Sequence, residues 1–276
     1  MKNEVFDFGR FWNYFKFDLK QMWRNHSKPA IFIGGAEILF YFIWVFFALI
    51  ITGHWHGPML AARIVVFIVA FTVLELYQTR TYGYLTDKKK GSAWLMIPAS
   101  TTEKFVSMLI ITLIVIPVLF LVVFFAVDSI LALVDPTVGN SILGMGVDGY
   151  QGFLDGITGL SQAAPINFSV GTFIGLWLVG LASNFLYFLL CGICFKRYKI
   201  LLGLALTTAL SFVVTPVVSL VLPLWAENMI EMADADSPEL ALKVMQTTFN
   251  ITFWMCIVFA IAEAVGIFFR IKTLKH

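Results

Sequence analysis

Residues 80–104 read RTYGYLTDKKKGSAWLMIPASTTEK and form a polar island between two long apolar runs. Three consecutive lysines, Lys88 to Lys90, lie near its middle. In membrane proteins, Lys and Arg residues beside a span are retained on the cytoplasmic side. The stretch therefore predicts a cytoplasmic connector between two transmembrane helices, and it orients the rest of the chain.

The second half of this connector carries a helix-start signal. Ser100 can accept a hydrogen bond from the backbone N–H of Glu103 while the Glu103 carboxylate accepts from the backbone N–H of Ser100, which is a capping box. Pro98 disfavours helical backbone at the residue before it, so the chain turns there. We therefore expect a helix to begin at about Thr101, leaving the short apolar patch 93–97 at the cytoplasmic surface.

Composition indicates a membrane protein. Hydrophobic residues make up 59% of the 276 residues and charged residues only 13%, which excludes a soluble globular protein for most of the chain. The opening residues are charged and lack the short apolar core and small-residue cleavage site of a signal peptide, so we expect none.

The apolar runs predict six transmembrane helices in a single all-α membrane domain, residues 1–276. Each run supplies the ~20 residues needed to cross ~30 Å of hydrocarbon. The third is longer than a span requires and contains Pro117, which favours a tilt or a kink. The predicted spans are 29–52, 60–77, 105–134, 168–195, 200–222 and 248–269.

The basic residues agree with one orientation of these spans. Of the 19 Lys and Arg residues, all but Arg63 and Lys243 fall before the first span, in the 80–104 connector, between the fourth and fifth spans, or in the tail. The opposite side collects acidic residues instead. Both termini are therefore expected in the cytoplasm.

An amphipathic helix is predicted over residues 8–25, ahead of the first span. Aromatic residues recur at a spacing of three and four, and Lys and Arg occupy the other face, which is typical of a helix lying in the bilayer interface. The alternative is a helix packed against a soluble partner. The expected membrane-interface anchors are Phe11, Trp12, Phe15 and Trp23.

Two outer segments are longer than turns. Residues 135–167 are rich in glycine and favour either a small interfacial or re-entrant helix or a flexible loop. In residues 223–246, the sequence Ser237-Pro238-Glu239 supplies an N-cap, a proline in the first position and an acid in the first turn. This predicts a short amphipathic helix leading into the last span.

Three acids, Glu37, Glu75 and Glu263, lie within predicted spans. An ionised acid at mid-bilayer costs about 2.5–3.5 kcal/mol on insertion scales, so these side chains should face protein or water. They could line or gate a translocation path, or they could be neutral or hydrogen-bonded acids that hold helices together. The second interpretation is favoured for Glu75 and Glu263, which lie near the inner interface.

Small residues in the fourth span predict close helix packing. Gly171 and Gly175 form a G-x-x-x-G pair, which lets helix backbones approach within a subunit or across a dimer.

The sequence predicts no catalytic, metal or cofactor site in this chain. His54 and His56 form an H-x-H pair without a third ligand, and Cys191 and Cys194 form a C-x-x-C without a second pair, so packing and interface roles are favoured. A G-x-x-x-x-G-K-[ST] loop for nucleotide phosphates is absent from the sequence. If ATP drives the protein, another chain binds it.

Residues 95–104 read LMIPASTTEK and resemble the L-x-x-P-x-S-x-x-E-K segment between the second and third spans of many type-2 ABC transporter permeases. The predicted interfacial helix, six spans and structured connector also resemble such a permease subunit.

The resemblance implies an exporter in the bacterial cytoplasmic (inner) membrane. It would contain a second permease copy or homologue, surrounded by membrane lipids, and a separate ABC ATP-binding subunit that holds the ATP; nucleic acid is not an expected partner. On that analogy the connector couples to the ATPase through Trp94, Leu95, Pro98, Ser100, Thr101, Glu103 and Lys104. The competing interpretation is a non-transporting scaffold or sensor that recruits a cytoplasmic partner or anionic lipid.

Overall fold

The computed structural model describes residues 6–146, 170–212 and 238–273, together with Gln151 and Pro216. These residues are largely helical and contain no strand. A π-helical turn, Ile111–Val115, interrupts the long helix that begins at Thr101, and 3-10 turns cover Gly83–Thr86 and Pro136–Val138. The helices are α1 (Phe8–Gly34), α2 (Ala36–Thr52), α3 (Leu60–Thr81), α4 (Lys88–Leu95), α5 (Thr101–Val134), α6 (Val170–Cys194), α7 (Lys199–Phe212) and α8 (Pro238–Thr273).

Several helices are suited to a membrane. Over the described ranges, five helical stretches are long and apolar enough to cross one, which agrees with the prediction of an all-α, multi-pass protein. The fifth predicted span, 200–222, is described only as far as residue 212 and at Pro216, so six spans and the side of the termini stay predictions. The five stretches are Phe8–Thr52, Leu60–Thr86, Thr101–Val134, Ile174–Cys194 and Gln246–Thr273.

The structure corrects the predicted start of the bundle. Instead of ending at Asn25, α1 continues through Pro29 to Gly34, and α2 begins after Gly35. The reason is that the buried positions of α1 recur every three to five residues on both sides of position 25, so one stripe packs along its whole length. A separate interfacial helix over 8–25 is therefore wrong in its boundary.

The long helices α1, α3 and α5 pack side by side. Helices α1 and α5 run in the same direction, because Arg10 meets Glu103 near both starts, and Gly34 meets Val123 further along. A side chain at Gly34 would begin 3.0 Å from Val123 Cγ1, so the two helices pack closely at this crossing. Helix α3 runs the opposite way, and a core of stacked and edge-on rings fills its contact with α5: Phe67, Phe71, Phe120, Phe124 and Phe125.

Helix α6 packs between α3 and α8. Gly175 lies against Phe253 of α8, in line with its predicted packing role, whereas the surroundings of Gly171 lie outside the described residues. A closer approach occurs at Gly192, which the sequence analysis did not single out. A Cβ there would clash with the backbone of Thr79 in α3, so only glycine allows this contact.

The outer segments are described in part. The predicted glycine-rich helix falls largely on residues outside the described ranges. Pro238 does begin a helix, as predicted, but the expected short helix is not separate from the last span, since α8 continues for 36 residues to Thr273. The continuity has a simple cause: neither glycine nor proline occurs between Pro238 and Gly266 to end the helix.

Candidate functional site at the connector

The connector between α3 and α5 is an ordered structure. The 3-10 turn Gly83–Thr86 leads into the short helix α4, whose N-cap is Asp87. The predicted capping box at the start of α5 is confirmed: Ser100 N donates to Glu103 Oε2 at 2.9 Å, and Glu103 N donates to Ser100 Oγ at 3.2 Å. Each of the two helices in this region, α4 and α5, therefore begins at a side-chain cap.

Glu103 also holds the start of α1. Its fully buried carboxylate accepts from Arg10 Nη2 at 2.6 Å, from Arg10 Nε at 2.8 Å and from the backbone N–H of Asp7 at 2.9 Å. These charge-assisted bonds come in addition to the bond within the cap. One carboxylate thus caps α5 and docks α1 on it.

Trp94 and Lys104 lock α4 against its neighbours. Trp94 is buried, and its indole Nε1 donates to the hydroxyl of Tyr14 in α1 at 3.0 Å. Lys104 Nζ donates to the carbonyl oxygens of Trp94 and Leu95 at 3.0 and 3.3 Å, and it lies 4.7 Å from the centre of the Trp94 ring. The lysine therefore satisfies carbonyls at the end of α4 and adds a cation–π contact.

Asp18 joins α1 to the neighbouring helices deeper in the bundle. Its buried Oδ2 accepts from Tyr82 Oη at 2.9 Å and from Ser107 Oγ at 2.7 Å. The sequence analysis missed this residue. The available signal was an acid on the apolar face of the predicted amphipathic helix, in register with Phe11, Phe15 and Met22.

Lys199 ties the connector to the second half of the bundle. From the first turn of α7, its Nζ donates to Thr86 Oγ1 at 2.8 Å, to the carbonyl of Gly192 at 2.9 Å, and to the carbonyl of Gly83. The sequence analysis counted this lysine only as a cytoplasmic charge. It binds the chain ends of α3 and α6 to one another.

The predicted coupling residues separate into two groups. Trp94, Ser100, Glu103 and Lys104 are buried, so they position the connector and leave little surface for a partner. Pro98 is exposed, and Leu95 and Thr101 are half-buried. Met96, which was not among the predicted residues, is 83% exposed.

A cavity of about 540 Å³ opens between α1 and the connector. Its lining holds the cations Arg80 and Lys90, amide and aromatic side chains, and no carboxylate. Basic and aromatic groups together suit an anionic group attached to an apolar body. The lining residues are Phe17, Gln21, Asn25, His26, Arg80, Tyr84, Lys90, Ala93, Trp94 and Ile97.

The predicted interface anchors differ in their surroundings. Trp12 and Trp23 are about half exposed, at 46% and 55%, as residues that face lipid headgroups would be. Phe15 is half-buried against the core. Phe11 is buried, which corrects its assignment as an anchor; it lies on the side of α1 that faces the bundle.

The three acids within predicted spans also differ. Glu75 accepts from Asn184 Nδ2 at 3.4 Å and Glu263 accepts from Ser183 Oγ at 2.9 Å, which agrees with acids that link helices. Glu37 is fully buried, and neither carboxylate oxygen has a hydrogen-bond donor among the described residues. It lies beside the buried ion pair of Arg63 and Asp128.

The histidine and cysteine pairs form no evident site. His54 and His56 are exposed, and the cysteines Cys191, Cys194 and Cys256 are free, with Cys191 buried and Cys194 exposed. No group of three or more metal-binding side chains occurs within the described part of the chain.

Comparisons with known proteins found no relative. The chain matches no protein family model, no curated protein and no solved structure at a significant level. Its fold and its connector therefore carry the functional argument alone.

Proposed function

We propose that this chain is the membrane-spanning permease subunit of an ATP-driven type-2 ABC transporter of a bacterial cytoplasmic membrane, and that it is an exporter. The connector between α3 and α5 is the surface through which a separate ATP-binding subunit acts. The observation that carries the proposal is the set of buried contacts made by Glu103, Trp94 and Lys104, which we call the joint. These contacts hold α4, α5 and α1 together as one rigid unit.

A coupling surface must transmit displacement without deforming. Here a push on α4 reaches the first turn of α5 through Lys104, and it reaches α1 through Trp94 and Tyr14. Because these contacts are buried, they lose little strength to water. Helix α5 then extends from the connector to Val134, so a displacement at one end is carried to the far end of the bundle.

The contact itself would be made by the exposed tip of the connector. Met96 and Pro98 are exposed apolar residues of the connector, which also carries the exposed Lys89 and Lys90. A flexible, apolar side chain that is 83% exposed in such a rigid element is suited to enter a pocket on another protein.

The test is purification of the complex from native membranes, followed by measurement of ATP hydrolysis in the purified material. Wild type should bring down an ATPase subunit, and Met96→Glu should lower its yield at least tenfold, because a charge would have to enter an apolar pocket. Met96 is the better choice than Trp94 or Glu103, whose replacement would disturb the buried joint.

The matched control is Tyr198→Asn, which removes a side chain of similar exposure, 75%, from the loop between α6 and α7. Asparagine tolerates the positive φ of 51° at this position. Equal loss in both variants, or wild type free of any ATPase, would contradict the proposal.

A second function, an anionic-lipid sensor or scaffold, is favoured by the cavity lined by Arg80 and Lys90. In that case, purified protein should retain anionic lipid and bring down no nucleotide hydrolase. Arg80→Ala combined with Lys90→Ala should release the lipid, whereas Arg24→Ala with Lys89→Ala, two exposed cations outside the lining, should not.

A further inference from the structure

A carboxyl group without a donor lies in the half of the bundle away from the connector. Glu37, in the first turn of α2, has a side chain that is 0% exposed. Neither of its oxygens accepts a hydrogen bond from any described residue. An ionised carboxylate in such a place would lose its hydration without gaining a hydrogen bond, at a cost of several kcal/mol.

The neighbour of Glu37 is another acid. The Asp128 carboxylate of α5 is also 0% exposed, and it accepts from Arg63 Nη1 at 2.5 Å and from the backbone N–H of Ile142 at 2.6 Å. A guanidinium and a backbone amide therefore both donate to Asp128. The Glu37 side chain lies against this carboxylate, because Gly34 meets Val123 on one side of it along α5 and Tyr41 donates to Asp135 on the other.

The charges around Glu37 do not balance without a proton. The charged and titratable groups that face it are Asp128 from α5 and Arg63 from α3. If both acids were ionised, one guanidinium would face two carboxylates in a site closed to water. Two adjacent carboxyl groups cannot both ionise under such conditions.

We propose that Glu37 and Asp128 form a buried proton-binding site that holds one proton between them. The Glu37 carboxyl O–H donates to the Asp128 carboxylate, and Arg63 compensates the remaining negative charge. The proton is the ligand, and its site is built by α2, α3 and α5. This also explains why Glu37 lacks a donor: it is itself the donor.

Loss of this proton would act on the packing of α2. With Glu37 ionised, two carboxylates of like charge would repel across the α2–α5 contact. The backbone can bend shortly before Glu37, because Gly35 separates α1 from α2 with φ −85° and ψ 3°. The site therefore couples proton release to the position of α2. This coupling does not depend on which substrate or partner the protein binds.

The first experiment is infrared spectroscopy of the full-length protein in detergent micelles over pH 6 to 10. Wild type should show the C=O stretch of a protonated carboxyl that is absent from Glu37→Gln and that fades as pH rises. Glu75→Gln and Glu263→Gln are matched controls and should retain it. An identical carboxyl band in wild type and Glu37→Gln at every pH would overturn the proposal.

The second experiment follows thermal unfolding of the same proteins. The folded site holds a proton that an unfolded glutamate releases above about pH 5, so rising pH should favour the unfolded wild type by up to about tenfold per pH unit from there until the folded site itself loses the proton. Glu37→Gln should fold, because glutamine matches the shape and neutrality of the protonated acid, and should lose this dependence. A variant that fails to fold, or that keeps the wild-type pH dependence, would contradict the shared proton.

Discussion

Buried charges are balanced at the connector end of the bundle and unbalanced around Glu37. At the connector, Glu103 is balanced by Arg10, and Lys104 is satisfied by the carbonyls at the end of α4. Around Glu37, two acids share the single guanidinium of Arg63. Buried charges that balance one another favour a single arrangement and therefore a rigid joint. Buried charges that do not balance require a bound proton, and gain or loss of that proton can change the conformation. The following predictions test this contrast, from the largest expected effect to the smallest.

Arg63→Met should be the most damaging substitution. It would leave Asp128 buried beside Glu37 without a compensating charge, and removing one partner of a buried pair costs about 3–5 kcal/mol. The measurement is the free energy of unfolding in detergent. Arg63→Met combined with Asp128→Leu should recover much of the loss; if it does not, the charge is not the cause.

Gly192→Ala should come second. The added methyl group would meet the backbone of Thr79, which cannot move aside as a side chain can, so we expect overpacking to cost about 1–3 kcal/mol. Gly180→Ala in the same helix is the control, since a Cβ there has open space within 4 Å. Equal stability of the two variants would show that α3 and α6 are not held this closely.

Glu103→Ala should weaken the attachment of the connector to α1. Loss of the hydrogen bond from Ser100 N alone costs about 0.5–1.5 kcal/mol, and the contacts of Asp7 and Arg10 are lost with it. Limited proteolysis should therefore cleave the connector faster than in wild type. Glu103→Gln keeps an acceptor for Ser100 and should give an intermediate rate; cleavage unchanged in both variants would refute the rigid joint.

Tyr41→Phe should have the smallest effect and tests a third acid, Asp135, beyond the end of α5. Burial by itself raises the pKa of Asp135, but donors from Tyr41, Thr137 and Trp55 outweigh it and hold that pKa at about 2. Their stabilisation is present above the unfolded pKa of about 3.9 and is lost as pH falls toward 2. Removing one donor should cost about 0.5–1.5 kcal/mol at neutral pH.

This difference should shrink as pH falls from 4 to 2, and thermal unfolding of both proteins over that range would show it. A difference that stays constant with pH would mean that Tyr41 acts through packing instead of through the Asp135 carboxylate.

Local patterns predicted the connector well. The capping box at Ser100 and Glu103 depends on residues three apart, so the sequence alone specifies it. The same reasoning located most of the apolar helices, because a long apolar run has few alternatives to a span. It failed at Asn25, where a change of polarity suggested a boundary but the buried stripe of α1 continued unbroken.

The sequence could not show which distant residues meet. Arg10 and Glu103, Tyr14 and Trp94, and Arg63 and Asp128 are each separated by 65 residues or more. Nothing in the spacing of such residues pairs them. Asp18 and Glu37 could be recognised as unusual acids, but whether each had a donor depended on the helices packed against it.

The sequence by itself therefore determined the all-α membrane character, most of the helices and the capped start of α5, because hydrophobicity and capping act between residues close in the chain. Only the tertiary structure decided that Trp94, Glu103 and Lys104 are buried as a joint, and that Glu37 faces Asp128 without a donor. Burial and charge pairing arise between helices, and the register of one helix against another is set by the packing of the whole bundle.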